Sequence, residues 1–281
     1  MARTSNLETA RVKPAKSQLL TLHVLRRERI SPTFVRVTLG GGDIEHFVAM
    51  GFDQWFRLFI PVSQDQRGVL SRLPQKLDTV SYLKYLKIAK ATRPVLRNYT
   101  VRAYRADGAE GPELDVDFVL HGSAADGTAG PAASWAETCS VGDAVAILDE
   151  GIGFNPPASL RRVLLVADET ALPAVAGILG SLPRDAVGQA LVEMPTAADR
   201  QDVDAPAEVD VTWVVREDAD AVPGRAVLAA AEALPLPADP FYGWVAGEHA
   251  LPTTLRRHWV SSGVSKQNIV LCGYWKHGQT H

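Results

Sequence analysis

Between residues 19 and 149, apolar side chains recur in short runs: 19–29, 33–39, 54–60, 97–105, 114–121 and 144–149. The runs are rich in Val, Leu, Phe and Tyr and are separated by Gly, Pro or Asp, the pattern of strands joined by turns. Six such strands without regular helices between most of them predict a closed or nearly closed antiparallel barrel. One insertion breaks the rhythm. In "DTVSYLKYLKIAKATRP", Val80, Leu83 and Leu86 fall at helical spacing and Lys84, Lys87 and Lys90 lie on the more polar side. This predicts a helix over 78–90 that ends before Pro94, because the residue preceding a proline is pushed out of the helical region.

After "NPPASLRR" the period changes. "VLLVA" (163–167) is a continuous apolar run of the kind buried on both faces of a parallel sheet. "ALPAVAGILGSL" reads as a helix, "QALVEM" and "VTWVV" as strands, "AVLAAAEAL" as a helix, "FYGWVAG" as a strand, "LPTTLRRHWVSSG" as a helix and "NIVLCGYW" as a last strand. Alternating strands and helices predict a parallel sheet covered on both faces. The expected organisation is a flexible polar arm over 1–18, a barrel domain over 19–157 and an α/β domain over 158–281, linked through Asn155–Arg162.

Composition adds limits. With 46% hydrophobic and 22% charged residues, the chain is an ordinary globular protein. It has no apolar run long enough to span a membrane and no apolar leader core at its start. Cys139 and Cys272 imply neither a disulfide framework nor a metal pair, so a cytoplasmic setting is the simplest expectation, and no feature of the sequence suggests more than a monomer. The net charge of −3 hides a split: residues 1–106 carry 19 Lys/Arg against 7 Asp/Glu, and the remainder carries 10 against 25. A basic first part attracts anions, but no nucleic-acid motif accompanies it. Mutual attraction of the two parts explains the split equally well.

The basic residues concentrate in "RPVLRNYTVRAYR" (93–105). Strand alternation puts Arg97 and Tyr99 on one face and Asn98 and Thr100 on the other. An arginine clamps a pyrophosphate through paired hydrogen bonds, an aromatic ring lies against a flat ring system, and a hydroxyl or N–H tunes a flavin edge. An exposed arginine beside a barrel-packing tyrosine accounts for the same tetrapeptide. "GPAASWA" (130–136) brings Ser134 to a helix start with Pro131 in its first turn, an anion site or a plain capped helix. His121 ends a strand and faces either ligand or core. "VLLVADETALPAVAGIL" is a strand, turn and helix without the G-x-G-x-x-G fingerprint, and Asp168, Glu169 and Thr170 can be read as helix caps or as a nucleotide turn. "VAGEHA" repeats this arrangement with Gly247 and Glu248.

Taken together and in order, "RPVLRNYTVR", "VDFVLHG", "GPAASWA", "ADETALPA", "WVAGE" and "GYWKHG" resemble the siderophore-interacting proteins, over nearly the whole chain from residue 19. The resemblance implies a ferredoxin–NADP reductase-like architecture: a six-stranded antiparallel FAD-binding barrel followed by a parallel-sheet domain for NADPH or NADH. The implied activity is transfer of electrons from NAD(P)H through FAD to siderophore-bound Fe(III), with ferredoxin as another donor. The alternatives are a general flavin or ferredoxin-type reductase and a non-catalytic ferric-siderophore binding protein. Carried over by position, Arg97, Asn98, Tyr99 and Thr100 match the flavin strand, Val119 and His121 flavin contacts, and Ala133 and Ser134 the pyrophosphate turn. Asp168, Glu169, Thr170, Gly247 and Glu248 match the nicotinamide edge. Arg57 and Lys276 match basic positions of the siderophore pocket, and Arg102 is taken as a third without a matching motif. Arg200, after the second α/β strand, is placed to read an NADPH ribose phosphate, and a solvated loop arginine accounts for it equally well. "LDEGIGF" replaces the family's Gly-Pro-x-Gly turn after the barrel.

Overall fold

The computed structural model describes residues 6, 10–62, 65–74, 85–89, 91–121, 129–218 and 221–278. They form two compact units, one of residues 13–50 and 54–151, the other of residues 1–12, 51–53 and 152–281.

The first unit is a seven-stranded antiparallel sheet of β1 (Leu19–Arg29), β2 (Phe34–Gly40), β3 (Trp55–Ile60), β4 (Val95–Thr100), β5 (Ala103–Gly108), β6 (Gly111–Val119) and β7 (Ala144–Gly151), in the order β4-β3-β7-β1-β2-β6-β5. The sheet has seven strands rather than six because the run over 97–105 bends. Val101 N–H donates to Gln54 O at 2.8 Å, still beside β3, while Arg102 N–H donates to Asp115 O at 2.9 Å on β6. The two outermost strands of the sheet, β4 and β5, are therefore consecutive in the chain, and the sheet curls toward closure. Alternation sends Leu20, Leu22 and Val24, Val35, Val37 and Leu39, and Leu114, Val116 and Phe118 into one core. Burial of each such side chain contributes about 1.5–3 kcal/mol. A short helix, α1 (Gln66–Leu70), was not legible in the sequence. Its Gln66 side chain accepts from Ala144 N–H at 2.8 Å and donates to Asp143 at 3.1 Å. Helix α2 (Pro131–Thr138) packs on β2, β4 and β6.

Of the expected helix 78–90, residues 78–84 and Lys90, with Val80, Leu83 and Lys84, lie outside the described residues. In the described part the inward residue is Tyr85, whose ring meets Phe59 and whose hydroxyl donates to Pro94 O at 2.7 Å. Leu86 is exposed, contrary to the apolar stripe read from the spacing.

On the outer face of β6, Glu113, Asp115 and Asp117 are buried although they point away from the core. Arg26 meets both oxygens of Glu113 at 2.9 and 2.6 Å, and Arg105 reaches both Glu113 and Asp115. Thr38 donates to Asp115 at 2.7 Å, and Arg36 grips Asp117 at 2.7 and 2.9 Å. These are cross-strand pairs on the β1–β2–β6–β5 surface.

The second unit is a five-stranded parallel sheet of β8 (Arg162–Ala167), β9 (Val187–Met194), β10 (Glu208–Val215), β11 (Tyr242–Glu248) and β12 (Ile269–Trp275), in the order β10-β9-β8-β11-β12. Helices α3 (Leu172–Ser181), α4 (Arg225–Ala233) and α5 (Ala250–Ser261) complete it. Leu164, Val166, Val245, Leu251, Leu255 and Trp259 share one core of this unit. Strand order reverses between β8 and β11, and the crevice at the carboxyl ends of two such strands is where an open α/β sheet receives ligands. Residues 51–53 cluster with this unit. Asp53, buried, accepts from Gly153 N–H, Phe154 N–H and Trp244 Nε1 at 2.9, 2.8 and 3.2 Å. Gly177 of α3 lies directly against Phe52 O, where a Cβ would collide.

The polar start of the chain is tied down at two points. Asn6 brackets the free edge of β12, donating to Ile269 O at 2.7 Å and accepting from Leu271 N–H at 2.8 Å, and Val12 bridges Ile152. An arm that is free over its whole length does not describe these contacts.

Candidate functional site

In the barrel unit, the register of β3 against β4 puts Val95, Arg97 and Tyr99 opposite Ile60, Leu58 and Phe56. Arg97 and Tyr99 thus share the core-side face, while Asn98 is exposed opposite Arg57. The Tyr99 ring lies 4.3 Å from that of Phe118 on β6, which lies 5.6 Å from Trp135 on α2. This aromatic chain joins the three segments that carry the expected flavin contacts. Val119 ends β6 half-buried, with His121 exposed two residues later. Ala133 and Ser134 occupy the first turn of α2, which begins at Gly130 without a side-chain cap. Ser134 N–H donates to Gly130 O at 2.9 Å, so the preceding N–H groups of Ala132 and Ala133 have no intrahelical partner.

Hydroxyls on both faces of β4 and on the first turn of α2 are without hydrogen-bond partners among the described residues. Among the described residues the hydroxyls of Tyr99, Thr100 and Ser134 make no hydrogen bond. Among the described residues strand β4 pairs only with β3, so half its backbone groups point away from the sheet. Burial pushes the Tyr99 phenol above its ordinary range, against the opposing pull of Arg97, which keeps it a neutral donor. Arg97 Nη1 donates to Leu96 O at 2.8 Å. An aromatic ring, open hydroxyls, an edge backbone and first-turn N–H groups fit a flat heterocycle with an anionic tail, and FAD is such a group.

The three expected substrate cations have different surroundings. Arg57 forms an ion pair with Glu150 at 2.6 Å, and Arg102 stands 3.5 Å from Asp117 with its charge disfavoured chiefly by burial. Both are barrel ion pairs. Lys276 is exposed and makes no ion pair among the described residues.

At the carboxyl edge of the parallel sheet, Asp168, Glu169 and Thr170 follow β8 and Gly247 and Glu248 end β11, so these residues are brought together. Asp168 is fully buried; its Oδ1 accepts from the N–H and hydroxyl of Thr170, and its Oδ2 from Glu248 N–H at 2.6 Å and Trp275 Nε1 at 3.3 Å. Burial first, and the neighbouring Glu169 second, raise the Asp168 carboxyl to about 7. Gly247, at φ 141°, passes so close that a Cβ would lie 2.5 Å from the Asp168 carboxyl carbon. Only glycine accepts both that angle and that approach.

Glu169 turns inward. Arg216, at the end of β10, grips it at 2.8 and 3.0 Å and also reaches Glu193 on β9 at 2.8 Å, while Glu193 accepts from Gly224 and Val227 N–H at the start of α4. This buried network braces the edge, and the carboxylates raise the Arg216 pKa despite its burial. Its signal in the sequence is a charge inside or directly after an apolar strand: Glu193 in "LVEM" and Arg216 after "WVV". Arg200 is exposed beyond the turn that follows β9, and its side chain has no partner among the described residues.

An FAD-compatible antiparallel barrel followed by a parallel sheet with an open switch point is the architecture of flavin- and nicotinamide-dependent reductases. The match to particular proteins is closer than architecture. Residues 23–152 match the family model for the siderophore-interacting FAD-binding domain, and residues 160–278 that for siderophore-interacting proteins. The ferric vibriobactin reductase ViuB of Vibrio cholerae is 31% identical over 267 residues, 92% of this chain and 89% of that protein. The NADPH-dependent ferric-chelate reductase of Escherichia coli is 27% identical over 90% of this chain and 91% of its own. A siderophore utilization protein from T. fusca superposes with a TM-score of 0.73 at 30% identity, over 96% of this chain and 97% of that one. The chain belongs to the siderophore-interacting protein family, and its barrel is the FAD-binding domain of that family.

Proposed function

We propose that the protein is an NAD(P)H-dependent ferric-siderophore reductase whose FAD lies on the barrel face formed by β4, the end of β6 and the start of α2. The observation that carries this is the set of open groups there: three hydroxyls and two first-turn N–H groups without a described partner, beside an aromatic ring. Arg97 and the Ala133–Ser134 turn would hold the phosphates, Tyr99 would cover the ring system, and Thr100 and the β4 edge would hydrogen-bond it. Bound FAD supplies the conversion of a two-electron hydride donor into single electrons for Fe(III). The iron arrives with its siderophore ligands, so the protein's task is to receive an anionic chelate, which the free Lys276 ammonium favours.

A nucleotide is the donor in this reading, because Arg200 stands unpaired beyond β9 where an adenosine ribose phosphate is read. Cys139 and Cys272, neither of them in a disulfide, agree with release of Fe(II) in a reducing cytoplasm. Among the described residues no helix is long and apolar enough to cross a membrane.

Two measurements test the proposal. Titration of the protein with FAD is expected to give one tight site that Tyr99→Ala and a bulky Ala133→Leu both weaken; an unchanged affinity in both variants would place the flavin elsewhere. Arg200→Ser is expected to lower kcat/KM for NADPH about tenfold, the loss of one charge-assisted contact, and to leave NADH unchanged. Equal losses with both nucleotides would remove Arg200 from the phosphate site.

A further inference from the structure

The carboxylates at the sheet edge turn toward the protein's own last strand. Besides the Asp168–Trp275 contact, Glu248 Oε1 accepts from His277 N–H at 3.2 Å and its Oε2 from Ala250 N–H at 2.6 Å. The carbonyl of Trp275 accepts from His249 N–H at 2.8 Å. Residue 276 is therefore held on both sides, by its predecessor through indole and carbonyl and by its successor through the amide. Its own ammonium group has no described partner and is exposed.

We infer that Asp168 and Glu248 are positioning residues for Lys276: together they clasp Trp275 and His277 and so fix the stretch of backbone that presents the free ammonium to an anionic ferric chelate. The inference rests on the reductase reading of Lys276 given above. A lysine stem has four rotatable bonds, and a charge on a loose terminal segment loses still more freedom when it binds. Anchoring the backbone on both sides removes the segment's share of that loss and leaves only the side chain to be ordered. It also gives buried acids at a ligand-receiving edge a purpose that does not require them to touch the nucleotide.

The test uses the full-length, FAD-loaded protein and redox-inert Ga(III) complexes: an anionic one with 2,3-dihydroxybenzoate and a neutral one with acetohydroxamate. Dissociation constants are read by calorimetry. Trp275→Phe, which removes the indole donor and trims the ring that meets His277, and Glu248→Gln are each expected to weaken the anionic complex about fivefold, the effect of one hydrogen bond that holds a charge in place. Neither is expected to change the neutral complex. On a Lys276→Gln background both changes are expected to have no further effect, because they act through Lys276. Additive losses, equal losses with the neutral complex, or an unaltered constant in both single variants would overturn the clasp. If Trp275→Phe does not fold, the Glu248→Gln and Lys276→Gln cycle decides alone. A wild-type protein that binds the anionic Ga(III) complex but does not reduce its Fe(III) counterpart would remove the reductase reading and leave the clasp standing. A wild-type protein that binds neither complex would overturn the clasp.

Discussion

Arg57 and Lys276 look alike in the sequence, each a single basic residue in an apolar strand-like setting, and their neighbours separate them. The Arg57 side chain is 27% exposed and pairs with a Glu150 carboxylate that is 8% exposed. Arg57→Ala therefore takes the paired cation from a buried carboxylate and is expected to cost about 1–3 kcal/mol of stability. Urea unfolding would show this as a lower midpoint at unchanged slope. An unchanged midpoint would return Arg57 to the substrate pocket. Gly247→Ala is a second discriminating change, because the added methyl meets the Asp168 carboxyl at a strained angle. It is expected to destabilise the sheet unit by about 1–3 kcal/mol and to weaken binding of the anionic chelate along with it. Asp168 also sets a pH dependence. Its folded carboxyl, raised to about 7 from 3.8, binds its proton more tightly than the unfolded chain does, so its contribution to stability is largest below its ordinary value and declines as pH rises toward 7. Asp168→Asn is expected to flatten that decline in thermal melts, and an unchanged profile would contradict the assignment.

At the scale of elements, β6 shows what alternation does and does not reveal. Its period of two correctly assigns Leu114, Val116 and Phe118 to the core and the three acids to the other face. It does not reveal that the acids are buried there under Arg26, Arg36, Arg102 and Arg105, because those partners come from three other segments. Arg26 and Arg105 hold the Glu113 carboxyl down to about 2, from 4.5. The sign is opposite to that of Asp168: Glu113 stabilises the fold above its ordinary value and loses that contribution as pH falls toward 2. Glu113→Gln is expected to be less stable at neutral pH and to lose less on acidification, which acid titration followed by circular dichroism would detect. The strands and helices of the second unit were legible because apolar period, turn residues and length agreed. The bend at Val101–Arg102, helix α1 and the Asn6 bracket on β12 were not, because each exists through a partner distant in sequence. The candidate flavin site was legible as ordered motifs. The network of Glu169, Arg216 and Glu193 was not, since no local pattern states which buried charges meet.

For the whole molecule, the charge split along the chain has a local meaning. Arg26, Arg36, Arg57, Arg102 and Arg105 precede residue 106, while the carboxylates they grip, Glu113, Asp115, Asp117 and Glu150, follow it. Much of the apparent basic field of the first part is thus neutralised inside the barrel unit, and under the proposed function steering of an anionic chelate would fall to cations without such partners, Lys276 among them. In the proposed function, FAD on this barrel carries electrons from a nicotinamide nucleotide to siderophore-bound iron. This transfer is tested most directly by an anaerobic absorbance experiment on the FAD-loaded protein: NADPH is added first, then an Fe(III) catecholate chelate, with a ferrous-specific chromophore present. The flavin band is expected to bleach with NADPH and to recover on addition of the chelate, with Fe(II) appearing in step with the recovery. A band that bleaches but does not recover with any ferric chelate would contradict this function.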